Sequence, residues 1–285
     1  QRQMCIRDRC CTGCRTYRKK FSCKNKIRKG DDRFMQTKRK VLLIGESWMV
    51  HTVEVKGFDM FSFDRYETGV NYIKAALSND GTEFYHMPCH MIDKEFPDSV
   101  EELKKYDVII ISDVGANTFL LGVETFLQGK RTKNKLELLK DYVLSGGGLC
   151  MVGGYLSFMG IEGKGKYYRT PVEQVLPVSF LPHDDRVECP EGIEIHKIAG
   201  HPIMKNLPDK ISGFLGYNRA IVKKESTVLL QYGEDPILSI AEYGKGRSVA
   251  FASDCAPHWS PVEFCESEVY IRLWNNIVEW LSGGK

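Results

Sequence analysis

The sequence predicts an α/β fold: a parallel sheet with helices on both faces, followed by a β-rich C-terminal elaboration. Three observations predict it. Short, wholly apolar runs such as "VLLIG" (41–45) and "DVIIIS" (107–112) suit strands buried on both faces. Segments with helical spacing separate them, which is the pattern of repeated strand–helix units. After residue 165 the texture changes to shorter, proline-punctuated pieces and closely spaced strand patterns.

Along the chain, the strand at 41–45 leads to a helix over 67–78, with Val70, Ile73 and Leu77 on one stripe. "EFYHM" (83–87) reads as the second strand. Ser99 and Glu102 then match a capping box that opens a helix in "DSVEELKKY". The third strand is 107–112. A helix marked by Leu136, Leu139 and Val143 leads into "GGGLCMVGG", the fourth. Further strands are expected at 212–222, 227–231, 236–243 and 247–253. "YGKGR" (243–247) reads as a hairpin turn in which glycine supplies positive φ. Val269, Leu273, Ile277 and Leu281 define a last helix over 268–282.

Composition narrows the function classes. No apolar run reaches the roughly 18 residues of a transmembrane helix, so no membrane partner is expected. The net charge of +3 conceals two unlike parts. Residues 1–34 carry a net +9 and residues 35–285 a net −6, and an acidic body argues against nucleic-acid binding. The basic segment lacks the apolar core of a secretory signal. Its opening "QRQMCIRDR" resembles translated sequencing-adapter DNA, so 1–34 is read as a non-native or disordered leader, with the natural start at Met35 and one domain over 35–285. A zinc knot from Cys10, Cys11, Cys14 and Cys23 is the rival reading, but the spacing fits no closed two-plus-two ligand set. The five cysteines beyond this leader, Cys89, Cys150, Cys189, Cys255 and Cys265, are scattered, which points to a reducing cytoplasm without disulfides.

Ligands in an open parallel sheet bind at the carboxyl ends of the strands. That rule selects Glu46, Ser47 and Trp48 after the first strand, Asp113 after the third, Gly153, Gly154 and Tyr155 after the fourth, and Asp254, Cys255, His258 and Trp259 in "SDCAPHW" after the strand at 247–253. Any one of these carboxylates alone is more simply a loop cap; together they suggest a cleft. "YHMPCHM" offers His86, Cys89 and His90 as metal ligands. His86 and His90 would need a helix where a strand end is read, so neither a metal nor a cofactor is expected.

Read together, "VLLIGES", "DVIIISD", "SGGGLCMVGGYLSFMGIEGKGKYYRTPVEQVLPV", "HPIMKNLP" and "YGKGRSVAFASDCAPHW" resemble the class I glutamine amidotransferase-like family, in its branch related to ThuA-like proteins. The resemblance spans Lys38 to the C-terminus and implies a flavodoxin-like sheet. Family members that hydrolyse glutamine use a cysteine on a tight G-x-C-x-G turn, activated by a histidine that a carboxylate two residues on orients. Cys150 has too little chain before it to be that nucleophile and is followed by Val152 where glycine belongs. It reads as mid-strand core. The elbow falls instead on 153–157, with Tyr155 in the nucleophile position and Ser157 in place of the second glycine. His258 sits where the family histidine belongs, yet the next carboxylate, Glu263, is five residues away. Cys255, three residues before His258, is the alternative nucleophile.

The reading is therefore a family member without the usual triad, whose status as an enzyme stays open. His258 and Tyr155 are its candidate catalytic groups. Glu46, Ser47, Asp113, Gly154, Ser157 and Asp254 are its candidate binding groups for a small polar molecule, such as a carbohydrate. A non-catalytic binding or assembly module on the same fold is the alternative, and a genuine cysteine-dependent glutaminase the third. Homo-oligomerisation is left open.

Overall fold

The computed structural model describes residues 38–283; the leader, its cysteines and Met35 lie outside the described residues. The described residues form thirteen strands: β1 (Arg39–Gly45), β2 (Ser47–Lys56), β3 (Asp59–Thr68), β4 (Thr82–Met87), β5 (Val108–Ser112), β6 (Gly148–Val152), β7 (Val178–Phe180), β8 (Arg186–Lys197), β9 (Lys210–Asn218), β10 (Ala220–Val222), β11 (Thr227–Tyr232), β12 (Asp235–Tyr243) and β13 (Gly246–Phe251). Nine of them form one sheet in the order β4-β1-β5-β6-β13-β12-β11-β8-β9. The pairings from β4 through to β13 are parallel; those from β13 through to β9 are antiparallel.

The apolar runs occupy the centre of the parallel half. Val41–Ile44, Val108–Ile111 and Leu149–Val152 are all buried, because helices cover the sheet on either side. Helix Asn71–Leu77 packs with the long helix Glu268–Leu281, while Lys135–Leu144 packs with Val100–Leu103; both groups reach the sheet. The capping box is partly realised. Ser99 Oγ accepts the Glu102 N–H, but the Glu102 carboxylate accepts from Asp98 N–H instead of reaching back to Ser99.

One expectation needs correction, and two features go beyond the sequence reading. The helix placed at 67–78 starts only at Asn71, because Glu67 and Thr68 finish β3. The segment before it forms an antiparallel hairpin, in register from Ser47↔Thr68 to Lys56↔Asp59, which the sequence reading missed. The β-rich part is an extension of the central sheet, and the pieces around residue 190 form the long strand β8, paired with β9 across a bulge. The YGKGR turn is as expected: Tyr243 pairs with Gly246, and Gly244 has φ +60°.

A candidate binding and acid–base site at the strand ends

The first strand ends in a forced kink. Gly45 has φ +113°, and a Cβ there would lie 1.8 Å from the Ser112 carbonyl oxygen, so only glycine lets β1 lie this close to β5. Glu46 follows in the left-handed region at φ +49°, its N–H bonded to that same carbonyl. Asp113, at the end of β5, repeats the conformation at φ +42°. A non-glycine residue held at positive φ costs on the order of 1–3 kcal/mol and persists only where its surroundings over-determine it. Here the two kinks turn two carboxyl groups from adjacent strands toward the same end of the sheet.

Glu46 is buried. Its Oε1 accepts from Ser112 Oγ at 2.5 Å and has Cys255 Sγ at 3.5 Å. Burial, with Asp254 and Asp113 nearby, pushes its carboxyl up to about 8, so at neutral pH it carries its proton. Burial also raises Asp113, although its Oδ1 accepts the Leu156 N–H at 2.8 Å.

Beyond β13 the chain makes a tight turn around Asp254. Oδ1 accepts the Ala256 N–H at 3.1 Å, and Oδ2 lies 3.2 Å from His258 Nδ1. That contact raises the imidazole's pKa. The carboxylate that orients His258 is therefore four residues upstream of it, and Glu263 is not needed. His258 is sandwiched between aromatic rings, edge-on to Tyr155 at 4.4 Å and stacked on Trp259 at 5.3 Å between centroids. Tyr155 in turn lies under the Arg186 guanidinium at 4.8 Å, and the Trp259 indole donates to Glu188.

Part of this arrangement lines a cavity of about 670 Å³. Five expected residues face it: Glu46, Asp113, Tyr155, Asp254 and His258. Three stand behind its wall. Ser47 Oγ accepts the Cys89 N–H, and Ser157 Oγ accepts the Asp113 N–H. Gly154 donates to Asn218 Oδ1, and its own Cβ position is closed off by Asp113. Position after a strand does not say which way a side chain turns. Sequence reasoning left Trp48 out of the final set of site residues and missed Thr68 at the root of the hairpin, together with Gly69, Asn71, Tyr72, Ala256 and Pro257. Trp48, directly after Glu46-Ser47, was the available signal.

The loop after β6 is not a nucleophile elbow. No α-helix follows β6 until Pro171, Tyr155 is not at positive φ, and the non-glycine residues of the loop that are at positive φ are Phe158, Glu162, Lys166 and Arg169. Asp113, Asn218 and Asp185 hold the loop: Asn218 bridges Gly154 and Asp185, whose carboxylate accepts the Met159 and Gly160 N–H groups. Cys150 is a fully buried mid-strand residue, and burial pushes its thiol up. Cys255 is also fully buried, with its thiol raised by burial and by the Glu46 and Asp254 carboxylates. A thiol that cannot ionise is a poor nucleophile.

The potential metal ligands that the fold gathers are Glu46, Asp254 and Cys255, with donor atoms within 4.8 Å of one another. All three already have partners within the protein. His86 and His90 do not converge, since His86 Nε2 contacts the Gly45 carbonyl and His90 is exposed against Tyr66.

A family model described as "Putative glutamine amidotransferase" matches residues 40–283. Two solved structures of cytoplasmic proteins from Salmonella typhimurium are similar to the chain. STM3548 is 45% identical, with TM-score 0.81, over 85% of this chain and 98% of its own. STM1381 is 42% identical, with TM-score 0.81, over 85% and 99%. A ThuA-like protein from Parabacteroides merdae shares the fold at 13% identity and TM-score 0.54, over 87% and 91%. A search among curated proteins found no match.

Proposed function

The chain belongs to the glutamine amidotransferase-like family, and from that premise we propose a member that works without a cysteine, binding a small, neutral, polyhydroxylated molecule of the carbohydrate class at the strand ends. The observation that carries this reading is the lining of the cavity: carboxyl groups of Glu46, Asp113 and Asp254, the His258 imidazole and the rings of Trp48, Tyr72 and Tyr155, with no thiol among them. Carboxylates accept hydroxyl protons, protonated Glu46 donates, and aromatic faces cover the apolar face of a sugar ring. The Asp254–His258 pair and Glu46 are the acid–base groups that such a molecule would meet.

The fold reading accords with this placement. Numbered by chain order, the parallel strands β4-β1-β5-β6-β13 run 2-1-3-4-5, the flavodoxin-like order, and Glu46 and Asp113 flank the point where that order reverses. The buried Cys150 and Cys255 speak against a cysteine-dependent glutaminase. The two Salmonella relatives named as cytoplasmic, and five free cysteines among the described residues, support the same compartment for this chain.

Thermal-shift titration with neutral sugars and polyols, with glutamine and sugar phosphates alongside, tests the reading. We expect stabilisation by a neutral polyol that Asp254→Asn weakens at least tenfold, and no release of ammonia from glutamine. Glutamine hydrolysis that disappears in a folded Cys150→Ala or Cys255→Ala variant would overturn it.

A further inference from the structure

The β2–β3 hairpin is a ribbon of two ten-residue strands that pairs with no strand of the main sheet. At about 3.3 Å per residue it is roughly 30 Å long, and a lone two-stranded ribbon is marginal in water. Its two faces differ in kind. On one, Trp48, Phe61 and Phe63 alternate with charges that satisfy each other: Arg65 bonds Glu67 and Thr52, and Lys56 sits over the Phe61 ring.

The other face has five cross-strand rows: Ser47/Thr68 at the root, then Met49/Tyr66, His51/Asp64, Val53/Ser62 and Val55/Met60. Its five large apolar side chains are bare, from Tyr66 at 45% to Met60 at 69% exposed. The charged pair on this face is already closed on itself, with His51 Nδ1 2.6 Å from Asp64 Oδ1. At the root, Tyr66 continues the face onto the exposed His90.

We propose that this face is an interface with a second copy of the chain, the two hairpins packing face to face and antiparallel about a two-fold axis. The order of the rows argues for a copy of itself. With the axis between the His51/Asp64 and Val53/Ser62 rows, each outer apolar row meets the other copy's outer apolar row, Met49/Tyr66 against Val55/Met60. Each His51/Asp64 row meets Val53/Ser62, so no charge faces its own like. The five apolar side chains offer on the order of 500 Å², and the polar rows and His90 bring the face toward the roughly 800 Å² per partner of a standard interface. Apolar surface of about this extent is the size of the largest patch on a typical monomer, and such patches are often functional.

Sedimentation of the full chain at micromolar concentration tests the proposal. The parent is expected to be a dimer, and a Val55→Glu, Met60→Lys double variant a monomer with an unchanged circular dichroism spectrum. Phe61→Ser, on the opposite face, keeps the dimer. Register is read separately: mixing Met49→Cys and Val55→Cys chains under mild oxidation should give a covalent dimer in higher yield than either chain alone. A monomeric parent, or a double variant that remains dimeric, overturns the interface; no preferential cross-link overturns its register.

Discussion

Glu46 shows how one side chain can set a pH dependence for the whole fold. The carboxyl ionises near its ordinary 4.5 in the unfolded chain and near 8 in the folded one. Between those values the folded state holds a proton that the unfolded state has lost. Stability therefore falls as pH rises through this window, and the deficit is complete above about 8. Glu46→Gln removes that component, an effect on the order of a few kcal/mol. Melting the two proteins side by side should show the variant gaining on the parent as pH rises from about 5 to about 9; a constant gap would mean that Glu46 is ionised throughout. Glu46 was legible in the sequence because its place at a strand end selects it. Cys150 was legible as core because its neighbours leave room only for a strand. The loop-holding contacts of Ser47 and Ser157 were not legible, since a buried hydroxyl that holds a loop reads in sequence like one that meets a ligand.

At the scale of elements, the site depends on the close approach of β1 and β5. Gly45→Ala combines a left-handed φ with a Cβ 1.8 Å from a backbone oxygen, neither of which can relax cheaply. We expect a loss of at least about 3 kcal/mol in urea unfolding, or failure to fold. Gly57 makes the contrast: at φ +67° in the hairpin turn its Cβ would meet nothing within 4 Å, so Gly57→Ala should cost only about 1 kcal/mol. Equal losses at the two positions would show that dihedral strain alone governs. The strands and helices of the main sheet could be read from sequence because burial writes period and polarity into them. The hairpin could not: neither face lies against the core, so "WMVHTVEV" carries no contrast between inside and outside.

Over the whole molecule, sequence pattern was enough for the alternating strands and helices but not for the continuity of the sheet, because pairing between distant strands leaves no local trace. That continuity has a consequence in time. β13 is the fifth of nine strands, and it joins the parallel half to the antiparallel half. Nearly one hundred residues separate it from β6, its parallel neighbour. During synthesis at 5–20 residues per second, that interval leaves the β6 edge of the parallel half open for roughly 5–20 seconds, while β8 to β12 are still being made. A chain ending at Tyr243 should remain in that state, protease-sensitive and prone to aggregate through the unpaired edges of β6 and β12. Limited proteolysis would show it; a resistant fragment would mean that the halves fold separately. The Asp254–His258 pair follows β13 directly, so the acid–base groups come into being only once the keystone strand has closed the sheet, and a nascent chain is exposed to chaperones until then.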